Sequence, residues 1–140
     1  MKTQKPGWQY QAVDINTGVI DADPHKLIQI LYAAAIDSIA VARGCIDRSD
    51  TEGRGLAIGK AIGLVGGLSD SLNHDIVDGG IADNLAALYD YVTRELAIAN
   101  VNSDPASLDR AREVLIPLQD AWNGIRSESK QLLRATAAAS

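Results

Sequence analysis

Residues 104–125 read DPASLDRAREVLIPLQDAWNGI, and this stretch decides the fold class. Leu108, Ala111, Leu115, Leu118, Trp122 and Ile125 recur at alternating steps of three and four. That spacing lines one face of an α-helix and suits antiparallel helices packed at shallow angles. Asp104 can accept hydrogen bonds from the first-turn amides, and Pro105 has no amide to lose and a φ already set for a helix. Pro117 falls inside the segment, where it removes one backbone hydrogen bond and should bend the rod.

The same opening device stands at Asp23-Pro24. Behind it Leu27, Leu31, Ala34, Ser38, Ala42 and Cys45 repeat at helical spacing, with Ile28, Ala35, Ile39 and Ile46 beside them. Asp47-Arg48-Ser49-Asp50 breaks this helix, and Asp50 or Thr51 can cap a second one whose stripe runs Ile58, Ile62, Val65, Leu68 and Leu72. Asp75 to Gly80 ends it, with Gly79-Gly80 read as the turn. A third helix carries Ile81, Leu85, Leu88, Val92 and Leu96 and closes at Asn100 to Ser103. Four helices of about 20 residues on short connections make antiparallel neighbours, so the expected fold is an all-α, antiparallel four-helix bundle. The expected organisation is an extended N-terminal arm over residues 1–23, the bundle over 24–127, and a partly helical or frayed tail over 128–140.

Composition agrees. Of 140 residues, 46% are hydrophobic, yet Phe is absent and only two Trp and four Tyr occur. An Ala- and Leu-rich palette of this kind favours helices over sheets. A chain of this length can bury roughly 68–70% of its unfolded surface, enough for one core. The formal charge of −5 and the lack of a clustered basic stripe argue against nucleic acid as a partner. No window approaches the roughly 20 apolar residues that cross a bilayer, and the single Cys45 forms no internal disulfide, which fits a cytoplasmic protein.

Catalytic and cofactor motifs do not assemble. Gly59-Lys60 lacks both the upstream glycine of a phosphate loop, where Arg54 stands, and the following Ser or Thr, where Ala61 stands. His25 and His74 have no partners at metal-ligand spacing. The expectation is therefore no enzyme activity, no cofactor and no metal. More informative is the row Gly55, Gly59, Gly63 and Gly67 in the second helix, an intrinsic penalty of roughly 4 kcal/mol. Close approach of a neighbouring helix is the first explanation, and an outer trough for a partner's backbone is the second. Apolar residues on more than one side of a helix, such as Ile30, Tyr32 and Ile36, also point to a covered surface.

Several segments together resemble one family. Residues 23–32 (DPHKLIQILY), Gly66-Gly67-Leu68 with Ser71-Leu72, Gly79-Gly80 with Asn84-Leu85 and Leu88-Tyr89-Asp90-Tyr91, Asn102 to Pro105 with Leu108, Trp122, and Tyr10 fourteen positions before Pro24 are similar, in order and spacing, to the FliS flagellar export chaperones. The resemblance spans roughly residues 10–126. Ile81 departs from it, where the family often has glutamate after Gly-Gly, as do the 74–78 loop and the glycine density of the second helix. The resemblance implies a chaperone of the bacterial cytosol that holds the disordered C-terminal part of flagellin, blocks its premature polymerisation and delivers it for export. It also implies the flagellar export gate as a further partner and an N-terminal arm that yields to the client; separately, no membrane insertion is expected, and monomer and homodimer both stay open. The partner-binding residues expected on this basis are Tyr10, Val13, Leu27, Ile30, Leu31, Ile58, Ile62, Gly63, Val65, Leu88 and Tyr91. A second class suited to a helical bundle is a histidine phosphotransfer module, whose signature is an exposed reactive histidine.

Overall fold

The computed structural model describes residues 24–72 and 79–139, with side chains described through Ile125 apart from Gly79. Four helices follow in order: α1 (Pro24–Asp47), α2 (Thr51–Ser71), α3 (Gly79–Asn102) and α4 (Pro105–Ala139). Each packs on its neighbour in sequence, and α4 closes the ring against α1. Side-chain contacts fix the antiparallel register. Cys45 meets Gly53, and Leu31 meets Gly67, across α1 and α2. Arg54 Nε donates to Asn100 Oδ1 between α2 and α3. Arg110 pairs with Glu95 at 2.9 Å between α4 and α3, and Arg43 pairs with Asp109 between α1 and α4. The expected antiparallel four-helix bundle is the observed fold.

The connections α1–α2 and α3–α4 use one device twice. Ser49 and Ser103 adopt φ of 57° and 51°, the left-handed conformation that ends a helix. The next amide then bonds back five residues, Asp50 N to Cys45 O at 2.8 Å and Asp104 N to Ala99 O at 3.2 Å. Each aspartate caps the following helix: Asp50 Oδ1 accepts from Gly53 N, and Asp104 Oδ1 accepts from Ala106 N, both at 2.9 Å. Serine thus takes the left-handed position that glycine more often fills.

The core joins Ile39, Ile58, Val65, Leu68, Val92, Leu96, Leu108 and Leu115 with Ala35, Ala42, Ala61, Ala99 and Ala111. Alanine at the contact seams lets helix backbones approach closely, which a core without Phe requires. Two aromatic residues enter it. Tyr32 and Tyr89 are each 3% exposed, and their hydroxyls share a hydrogen bond of 2.7 Å. Burial raises both hydroxyl pKa values above the ordinary tyrosine range.

Four details differ from the sequence expectations. Gly79 and Gly80 form the first residues of α3 rather than a turn, positions where amides lack intrahelical partners in any case. Helix α4 runs on through Ala139. Trp122, expected in the core, is half-buried at its edge. Finally, α1 holds an 18-residue window of mean hydropathy 1.4, long and apolar enough by composition to cross a membrane. Its Ile28, Tyr32, Ala35, Ile39 and Ala42 are buried in the bundle, the pattern of a core helix.

Candidate functional site

The glycine row lies outside. A side-chain carbon placed on Gly55, Gly59, Gly63 or Gly66 would have no neighbour within 4 Å. The first explanation of the row, close approach of another helix, is therefore overturned for these positions. At about 100° per residue, Leu56, Gly59, Gly63 and Gly66 share a sector of roughly 80°, opposite Ile58, Ala61, Val65 and Leu68. Only Gly53 and Gly67 approach other groups. A Cβ on Gly53 would stand 2.4 Å from Asp50 Oδ2 and 2.8 Å from Cys45 Sγ, and one on Gly67 would touch Leu31 at 3.4 Å.

This bare face continues onto α1. Leu31 packs over Gly67, with Leu27 and Ile30 half-buried on the same helix. Near the other end Val41 is 56% exposed and Leu56 71% exposed. By the register that sets Cys45 against Gly53, these two stand at nearly the same level along the α1–α2 pair. The result is a shallow track with almost no relief along α2, apolar between Glu52 and Asp70, which are exposed at its two ends.

A second apolar strip lies on α3 and α4. Ile81, Leu88 and Ile125 are exposed along it, and Tyr91 is half-buried at its side, while the exposed Ile98 and Val101 lie roughly 100° and 160° further round α3. Glu95 and Arg110 bridge the strip as an ion pair at 2.9 Å whose arginine is open to solvent and whose carboxylate is largely covered. Since α2 and α4 are diagonal in the ring, the glycine face and the α4 side of this strip point in different directions.

Two clefts lie among the described residues. A cleft of about 20 Å³ lies between Ile28, Tyr32, Ser71, Leu72, Leu85, Tyr89 and Trp122, enough for a single water. A more polar hollow of about 210 Å³ at the opposite end is lined by Cys45, Ile46, Ser49, Asp50, Thr51, Arg54 and Ser103. Arg54 there donates to Asn100 and Ser103. Among the described residues no group of His, Cys, Asp and Glu could hold a metal.

His25 is tucked against the bundle. Its ring stacks on Trp122 with centroids 4.7 Å apart, Trp122 Nε1 donates to its backbone carbonyl at 3.0 Å, and its Nδ1 is buried. That environment lacks the exposed mid-helix imidazole of a phosphotransfer module. His74, like Tyr10 and Val13, lies outside the described residues.

The remaining expected binding residues divide by position. Leu27, Ile30, Leu31, Ile62 and Tyr91 are half-buried, while Gly63 and Leu88 are exposed. Ile58 and Val65 sit in the core at 0% and 1% exposure, out of a partner's reach while the bundle is closed. They came from the same stripe as Ile62, but the helix turns that stripe inward. Val41 and Leu56 are exposed but not among the expected binding residues; Leu56 stands out in the sequence as apolar load beyond the second helix's main stripe, between glycines on a face with no other large apolar residue.

Comparisons with known proteins converge. Residues 6–129 match the model of the family described as flagellar protein FliS. The chain is 40% identical to the flagellar secretion chaperone FliSB of Pseudomonas aeruginosa over 89% of this chain and 96% of that protein. It is 32% identical to flagellar secretion chaperone FliS of Vibrio cholerae, covering 90% and 92%, and 33% identical to that of Salmonella typhimurium, covering 83% and 86%. A match over most of the chain, on a four-helix bundle whose apolar residues spill onto its outer faces, assigns this protein to the FliS family of flagellar proteins.

Proposed function

We propose that this protein is a cytoplasmic flagellar export chaperone that binds the disordered C-terminal region of flagellin, prevents its premature polymerisation and delivers it to the flagellar secretion apparatus. The observation that carries this reading is the pair of apolar tracks, one along α1–α2 with its open glycines and one along α3–α4. A small-molecule ligand would use a concave, mostly apolar pocket, and neither described cleft is one: the first has room for a single water and half the lining of the second is polar. An unfolded chain instead needs long, shallow apolar surface and can wrap several faces. The work of such a protein is binding, with no chemical step assigned to any residue.

Leu27, Ile30, Leu31, Ile62 and Gly63 would hold one client segment, with Val41 and Leu56 extending the track. Leu88 and Tyr91 would hold another. Residues 1–23, through Tyr10 and Val13, cover part of this surface until the client displaces them. The export gate is the further partner to which the loaded chaperone is passed.

Titration calorimetry against the C-terminal segment of flagellin from the same source tests the proposal. Stoichiometric binding with a clearly negative heat-capacity change signals apolar burial on a disordered client. Absence of binding removes flagellin as the client and leaves the bundle without its proposed task.

A further inference from the structure

The outer face of α2 shows one knob and one hole. Leu56 is 71% exposed, and two turns later a Cβ on Gly63 would have no neighbour within 4 Å. Gly59 and Gly66, on either side of Gly63, are equally bare. At about 100° per residue, Leu56 and Gly63 lie within roughly 40° of Gly67, which touches α1, on the side away from the core. Helix α1 repeats the pattern. Val41 is 56% exposed, and the half-buried Ala34 stands two turns before it. Both lie within roughly 40° of Cys45, which touches α2, again on the side away from the core. Each helix of the α1–α2 face therefore has a large apolar residue and, two turns away, a small one.

The two pairs share a centre. Cys45 stands against Gly53 and Leu31 against Gly67, an antiparallel offset that sets Val41 level with Ala57 and Ala34 level with Leu64. The midpoint of Val41 and Ala34 then falls within one residue of the midpoint of Leu56 and Gly63, about 1.5 Å along the helix. A twofold axis through this point, lying in the face and perpendicular to the helices, turns the face end for end. It sets Leu56 of one copy over the second copy's Gly63 and Val41 over its Ala34, at both ends at once. Charge fits the same operation. Asp37 stands level with Ala61, next to Lys60 and close to the axis, so the rotation brings each lysine beside the other copy's aspartate. Two chains of net charge −5 thus meet where opposite charges face each other.

We propose that the α1–α2 face is a self-recognition surface that takes a second copy of this chain in an antiparallel, twofold pair. Helix α2 has 21 residues and is about 30 Å long, and two helices side by side measure roughly 20 Å across, so the face offers about 600 Å² a side. That is somewhat less than the ~800 Å² per partner of a standard interface, an area suited to a reversible pair rather than a permanent one. A contact that uses the same patch on both copies closes on itself and stops at two. The pair covers the track assigned above to the client without requiring that flagellin be that client. Copy and client exclude each other, so a loaded chain is a monomer.

Sedimentation equilibrium of the full chain over roughly 5–500 μM should show monomer and dimer with a Kd on the order of 10–100 μM, the transient end for interfaces of this size. Leu56→Gly removes the knob and Gly63→Leu fills the hole, and each should weaken pairing about tenfold or more. The exchange L56G/G63L swaps knob and hole along α2, and the twofold then sets the moved knob over the moved hole. Pairing should return to within about threefold of the unaltered chain, which a loss of fold or of apolar area could not produce. K60E should weaken the pair and D37K/K60E restore it, while Val101→Ala, on an exposed part of α3 outside the face, should leave it unchanged. A chain that stays monomeric at about 0.5 mM overturns the proposal. So does a dimer indifferent to Leu56→Gly and Gly63→Leu, or an exchange variant that pairs no better than the single ones. Calorimetry with the flagellin segment separates the two readings: a monomer that binds it sinks the pairing alone, and a dimer that ignores it sinks the client alone.

Discussion

Three of the glycines in α2 can be filled without touching anything. Gly59, Gly63 and Gly66 have open space where a Cβ would project, and none has a left-handed φ. Alanine in a helix interior is favoured over glycine by about 0.8–1.0 kcal/mol, because glycine loses more backbone freedom on folding. The triple variant G59A/G63A/G66A should therefore be about 2.5–3 kcal/mol more stable, which for a chain of this size raises the melting temperature by roughly 10 °C. Urea unfolding, with an unchanged slope and a higher midpoint, is the direct assay. Gly53→Ala is the opposite control: its Cβ would collide with the capping carboxylate of Asp50 and with Cys45 Sγ, so it should destabilise. A melting temperature that stays or falls in the triple variant would refute the placement of these glycines on an unoccupied outer face. If a client backbone lies along that face, the same variant melts higher yet binds flagellin more weakly.

Further outcomes follow from other parts of the bundle. Gly63→Leu should raise the melting temperature by a few degrees, since leucine is also a far better helix former than glycine, and reduce client affinity in calorimetry; a large loss of stability would return the row to a packing role. Tyr32→Phe and Tyr89→Phe should each cost about 1–3 kcal/mol, since each strands the partner's buried hydroxyl, while the double variant should cost far less than their sum. Tyrosine ionisation gives the pH dependence. The folded hydroxyls of Tyr32 and Tyr89 lie above their ordinary value of 10.0, so this contribution to stability is intact below pH 10 and is lost as pH rises above it. In a Y10F/Y91F background, ultraviolet titration should show no tyrosinate before the alkaline unfolding transition. A phenolate appearing near pH 10 in the folded protein would contradict the buried pair.

The parts of the fold legible in the sequence are those where a side chain reports its own environment. Asp50 and Asp104 announce helix starts because a carboxylate next to free amides has a definite use, and both cap as expected. The seam Leu108, Ala111 and Leu115 is fully buried. Glycine reports nothing of this kind, so the row in α2 fitted both a tight seam and an open face. The signal that separates them is relative: the row lies opposite Ile58, Val65 and Leu68, and one helix seldom has two cores. Charged and small residues on α1 likewise hid Val41, whose exposure depends on where α2 turns its glycines.

The chain contains two tryptophans, Trp8 and Trp122, and the second lies among the described residues. Its indole lies flat against an imidazole and is hydrogen-bonded to the first turn of α1. With Trp8 replaced by Phe, emission from the remaining ring would come from the junction where the leading segment enters and α4 leaves. The protein thus has a built-in optical probe at its most informative point, and stopped-flow fluorescence could time a client's arrival there without any attached dye.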